Sequence, residues 1–116
     1  MRKQLSGNTS KIKASKITQQ ITAAEEQDFR VNLNAEYQTL LAKLGQFNEA
    51  ISYYETQGKT LSEEILKTAE RTFKEGEIDF FQYIQSIETA TDIELSFLAN
   101  LNGYNQTIIK INYLIL

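Results

Sequence analysis

The sequence predicts an all-α protein, a long antiparallel helical hairpin of coiled-coil type. Three observations predict it. The 116 residues contain no proline, the residue that most strongly interrupts helices. Apolar residues recur at alternating steps of four and three along two separate stretches, the period of a seam turned toward a partner helix. Between those stretches, residues 71–79 carry a helix stop, a tight turn and a helix start in succession. The expected boundaries are a helix over about 11–73 with a kink or weak point at 57–60, a turn at 74–78, and a helix over about 79–113.

Residues 1–10 are polar, and Ser6-Gly7-Asn8-Thr9-Ser10 has the composition of a flexible stretch. We read 1–10 as a flexible basic leader and 11–116 as one helical-hairpin domain, a fragment of something larger. Arg2, Lys3, Lys11, Lys13 and Lys16 all precede the first acid, Glu25. Such a run can meet phosphates or anionic lipid; the plainer reading is a solvated tail. No apolar segment approaches the roughly 20 residues of a membrane helix, and 1–10 lacks the apolar core of a signal peptide. If the native protein is exported, Met1 is not expected to be its natural start.

The first stripe begins at Ile17, Ile21 and Ala24 and is interrupted at Gln27-Asp28. It becomes regular at Leu33, Tyr37, Leu40, Leu44, Phe47, Ile51, Tyr54, Gly58, Leu61 and Ile65, reaching Ala69 and Phe73. Gly58 lies on this seam. Glycine inside a helix costs about 1 kcal/mol relative to alanine, so Gln57-Gly58 is one place for a helix to end, with Thr60-Leu61-Ser62-Glu63 as a capping box for the next. Against that, the heptad phase passes through Gly58 without a slip, which favours a near-continuous helix.

Gly76 suits the left-handed position just past a helix C-terminus. Arg71 and Lys74 fall in the last turn before it, where cations oppose the negative end of the helix dipole, and Glu77 and Asp79 fall where the next helix begins. Asp79 is a natural N-cap, with Gln82 three residues on as its reciprocal partner.

The second stripe runs through Ile84, Ile87, Ala90, Ile93, Phe97, Leu101, Tyr104, Ile108, Ile111 and Ile115, with fraying expected beyond Gly103. Leu33 to Phe73 is about 60 Å at the helical rise, and Asp79 to Ile115 about 54 Å, so the arms match from about Leu33 onward. Residues 11–32 then overhang. We expect them to fold back as a third helix or to be covered by other chains, so that the isolated chain either forms a three-helix bundle or self-associates through its exposed stripes.

Composition also excludes chemistry. With no histidine and no cysteine, the chain lacks the usual acid–base pairs, triads, thiol nucleophile and zinc ligands. The acid pairs Glu25-Glu26 and Glu63-Glu64 each point about 100° apart around a helix and read as solvated faces. The five glycines are scattered, so no phosphate-cradling loop is present. Tyr53-Tyr54 and Phe80-Phe81 could form a base-stacking platform; with no clustered cations beside them we read both pairs as core packing. A net charge of −3 gives no reason to expect nucleic acid. We expect no enzyme activity, no cofactor and no metal.

The tip residues Phe73-Lys74-Glu75-Gly76-Glu77-Ile78-Asp79-Phe80-Phe81-Gln82-Tyr83-Ile84-Gln85 resemble the helical hairpin tips of TolC-type outer-membrane efflux proteins. Those carry an aromatic, two variable residues, Gly, a short stretch, then an apolar-rich helix with Gln or Glu near its start. The segments 50–55 and 61–69 look like the arm leading into such a tip, 104–114 like the end of the returning arm, and 11–17 like the re-entry after the β-barrel. The resemblance spans 11–116 and is closest in flavour to the channel component of heavy-metal efflux systems, in some members fused to the pump polypeptide. This chain has neither the β-strands nor the first hairpin of that family, so it corresponds at most to the second hairpin.

What the resemblance implies is a structural wall of a trimeric channel, located in the periplasm as part of an outer-membrane protein. Its tip would dock a periplasmic adaptor and connect indirectly to an inner-membrane RND-type pump. Phe73, Gly76, Glu77, Ile78 and Asp79 would be the adaptor-contact residues. Any heavy-metal label would belong to the pump, because soft-metal ligands are missing here. The rival reading is a free-standing coiled-coil interaction module in the cytoplasm.

Overall fold

The computed structural model describes residues 2–115, with side chains from residue 7. The chain divides into two units, one ending at Gln38 and the other beginning at Thr39. Helix α1, Arg2–Tyr53, belongs to both; a π-helical turn at Tyr54–Gly58, helix α2, Lys59–Lys74, and helix α3, Phe80–Ile115, complete the second. Among the described residues there is no strand.

In the first unit the flexible leader is replaced by helix: from Arg2 the described backbone is helical, and Met1 lies outside the described residues. The composition of 6–10 raises the cost of helix by only a fraction of a kcal/mol per residue, about 1 for Gly7, and no proline forces an end. The third helix expected from 11–32 does not form either. No turn interrupts α1, and every described residue from Gly7 to Asn32 is exposed. Ile12, Ile17, Ile21, Phe29 and Val31 are each more than half exposed.

The second unit is the predicted hairpin. The last part of α1, the π-turn and α2 form one arm, and α3 returns antiparallel against it. Leu40, Ala69, Ala90 and Ile111 are buried in the seam, with Leu44, Phe47, Ile51, Ile65, Ile87, Ile93 and Phe97 half-buried. Most of the two heptad stripes thus face each other, as a period of 3.5 requires, whereas Leu101 and Ile115, expected on the second stripe, are exposed.

The weak point at 57–60 is a widened turn, not an end. Tyr53, Gly58 and Lys59 all keep right-handed helical angles, and the Lys59 amide donates to the carbonyl of Tyr54, five residues back. The helix is near-continuous here, as the heptad phase favours, and the alternative of a break with a capping box at 60–63 is not what forms. The extra residue carried by a π-turn rotates the helix beyond it. Up to the end of the turn the seam keeps the heptad through Leu40, Leu44, Phe47, Ile51, Tyr54 and Gly58, with Ala50 half-buried beside it. After it the buried and half-buried positions are Ser62, Ile65, Ala69 and Thr72. Ser62 is fully buried while Leu61, expected on the seam, is 43% exposed.

This stretch of the seam is built of small residues. A Cβ on Gly58 would stand 3.2 Å from the Tyr54 ring and 3.5 Å from Ile93, and Ser62, Ala69 and Ala90 are closed off from solvent. The Ser62 hydroxyl donates to the Lys59 carbonyl at 3.0 Å, and the buried Thr107 hydroxyl to the Gly103 carbonyl at 2.7 Å. Neither polar group enters the seam unsatisfied, as burial demands. Helix α3 continues past Gly103 to Ile115.

Candidate partner-docking tip

The turn between α2 and α3 is built from backbone hydrogen bonds at both ends. Leaving α2, the Gly76 amide donates to the Phe73 carbonyl at 3.1 Å and the Glu77 amide to the Thr72 carbonyl at 2.9 Å. These two bonds are the Schellman pattern, which satisfies carbonyls that the helix leaves over. The pattern requires a left-handed residue at its centre, and Gly76, at φ +77°, is the one positive-φ residue among those described. Glycine reaches that region without the steric penalty of a Cβ.

Entering α3, the Gln82 amide donates to the Asp79 carboxylate at 2.8 Å, and the Asp79 amide donates to the Gln82 side-chain carbonyl at 3.0 Å. This reciprocal pair closes the helix start, as the spacing predicts. Lys74 and Glu70 form an ion pair at 3.1 Å, both largely exposed; solvent screening leaves such a pair little weight.

Aromatic packing holds the two helix ends together behind the turn. The rings of Phe73 and Tyr83 stack with centroids 4.7 Å apart, and Phe80 lies tilted at 6.2 Å from Phe73. Contacts of this geometry stabilise beyond their buried area. The apex is therefore a tied loop, with five residues between the last of α2 and the first of α3.

The five sequence-predicted contact residues divide. Gly76, Glu77 and Asp79 are exposed at the apex, with the Asp79 carboxylate already engaged by the Gln82 amide. Phe73 is 38% exposed and braces the apex through its stack on Tyr83. Ile78 is half-buried and lines a groove with Ile65, Ala69, Thr72 and Gln82.

Phe80 and Phe81 do not pack in the core, contrary to the expectation from sequence: they are 65% and 67% exposed. Periodicity offers no warning of this, because three and four steps back from Ile84 land on both. At the end of the hairpin the inner places go instead to Tyr83, stacked on Phe73, and to Ile78 from the turn itself. The Tyr53-Tyr54 pair is split as well: Tyr54 stacks on Phe97 at 4.1 Å and 14°, whereas Tyr53 is 52% exposed.

Among the described residues no cluster of acids could hold a metal ion, and no helix is long and apolar enough to cross a membrane. Comparison with protein-family models, with curated proteins and with solved structures finds no match.

Proposed function

We propose that this chain is a structural hairpin whose apex docks a partner, as the second hairpin of a TolC-type efflux channel presents its tip to a periplasmic adaptor. The observation that carries the reading is the pairing of a tied apex with uncovered aromatics. The turn is closed by a Schellman pattern and a capping box, yet Phe80, which touches only the edge of that packing through Phe73, and Phe81 are 65% and 67% exposed beside it. Exposed aromatics on a rigid support are the side chains that anchor protein interfaces. The tip residues and the arm pattern add the family resemblance. Ordering such a turn before binding also removes much of the conformational cost of association.

In this reading the arms are wall and spacer, the tip is the contact, and pump, adaptor and trimer are partners of the assembled channel. The test is binding of the chain to periplasmic adaptor hairpins from efflux systems, by calorimetry. Micromolar or tighter binding that is lost in Phe81→Ser and in Gly76→Ala supports it. Binding unchanged in both variants, or no binding to any adaptor while a cytoplasmic partner is captured at the same tip, would favour the free-standing coiled-coil reading.

A further inference from the structure

One side of the hairpin carries a groove that nothing among the described residues fills. Beside the π-turn it is lined by Ala50 and Tyr53 on one arm and by Thr89, Asp92, Ser96 and Asn100 on α3. Toward the tip, a second stretch lies between Leu61 and Glu64 on α2 and Gln82 and Ser86 on α3. The α3 residues from Gln82 to Asn100 keep steps of three and four, which place them on one edge of the helix. The two stretches, of about 510 and 500 Å³, are large enough to take side chains of a helix laid along them. The π-turn has shaped this groove: Leu61, displaced from the seam by Ser62, now forms its apolar wall together with the exposed ring of Tyr53.

The same chain carries a helix that matches it. In α1, Ala14, Ile17, Ile21 and Ala24 share one face at steps of three and four, and all are exposed. Lys13 and Lys16 border one side of that face and Lys11 the other. The groove offers the opposite charge, with Glu64 on its apolar wall and Asp92 on its polar one. The imbalance holds along the chain. Residues 1–24 contain five cations and no acid, and the remaining residues carry seven cations and fifteen acids.

We propose that the groove between the arms takes residues 11–24 of a second copy of this chain, with Ile17 and Ile21 against Tyr53 and Leu61 and with Lys11 and Lys13, on opposite sides of that face, toward the acids of the two walls, Asp92 and Glu64. The contact is heterologous, since the arm of one copy meets the hairpin of another. It closes as a reciprocal dimer or a ring, or extends as a chain of copies. It does not depend on the efflux reading, because no adaptor takes part and the contact residues named for the arm, Tyr53 and Leu61, lie away from the apex.

Complementation between two variants tests it. Ile17→Glu with Ile21→Glu removes the arm's apolar face, and Tyr53→Lys with Leu61→Lys removes the apolar wall and repels the lysines. All four sites are exposed, and circular dichroism checks that both variants stay helical. By sedimentation velocity the full chain is expected to associate at roughly tens of micromolar, each variant alone to be monomeric, and an equimolar mixture to recover association through its one intact arm and one intact groove. Association of the groove variant by itself would overturn the proposal in favour of arm-to-arm pairing. So would a mixture that stays monomeric, or a wild-type chain that is monomeric at about 200 μM, well above the range in which such a contact assembles.

Discussion

The ring of Phe47 lies directly on Gly103: a Cβ there would stand 2.5 Å from the ring Cζ and 2.6 Å from Cε1. The glycine that looks like a weakness in α3 is the space that lets the two arms approach at this level. Gly103→Ala raises helix propensity by about 1 kcal/mol, but it forces the ring out of place, and overpacking of this kind costs roughly 1–3 kcal/mol. Net destabilisation of about 1 kcal/mol is expected in urea denaturation. Adding Phe47→Leu should recover most of it, because the two residues are in contact and their effects do not add. Equal effects of Gly103→Ala with and without Phe47 would show that the ring is not what the glycine accommodates.

Ser62 and Leu61 exchange their expected places. Ser62→Leu introduces a larger, branched side chain where the serine has no solvent exposure and is expected to cost about 1–3 kcal/mol. Leu61→Ser, at a position 43% exposed, should cost under about 1 kcal/mol in the monomer, well below the roughly 2–5 kcal/mol of a buried Leu truncation. Thermal denaturation of the two variants distinguishes the observed seam from an unbroken heptad, which requires the reverse order.

Gly76→Ala meets no atom within 4 Å, so its effect is purely conformational. At φ +77° an alanine is disfavoured by roughly 1–2 kcal/mol, and Gly76→Asn, which tolerates the left-handed region better, should lose less. Chemical denaturation gives the ranking. Equal stability of all three would mean that the turn relaxes out of the left-handed conformation.

Asp79→Ala removes the acceptor for the Gln82 amide and should destabilise α3 by about 1 kcal/mol, the usual size of an N-cap loss. Amide exchange should rise first at Gln82 and Tyr83, whose amides bond to Asp79. Exchange rising uniformly along α3 instead would assign the loss to global opening rather than to the cap.

Much of the fold was legible because it rests on local rules. Lack of proline, the 3.5-residue period, Gly76 in its left-handed position and the Asp79–Gln82 pair each act within a few residues, so they can be read from order along the chain. The tip was legible for the same reason, apart from Phe80 and Phe81. Two adjacent aromatics at seam spacing have high burial potential wherever they occur, and only the competition of Tyr83 and Ile78 for the inner places at the end of the hairpin leaves them outside.

What the tertiary structure decided depends on contact across the arms. A glycine at 58 has the same local cost whether the helix ends there or widens; the Tyr54–Phe97 stack and the close approach of Ile93 accompany the widening. Gly103 is a poor helix residue until Phe47 occupies the space above it. The shift from Leu61 to Ser62 comes from one extra residue in a turn, which no count of heptads reveals. The sequence by itself determined two helical arms and the turn that joins them, because hydrogen bonding and side-chain period are properties of neighbours in the chain. Which side chains meet was set by packing between residues distant in the chain, such as Phe47 and Gly103, where shape and not periodicity selects the partner.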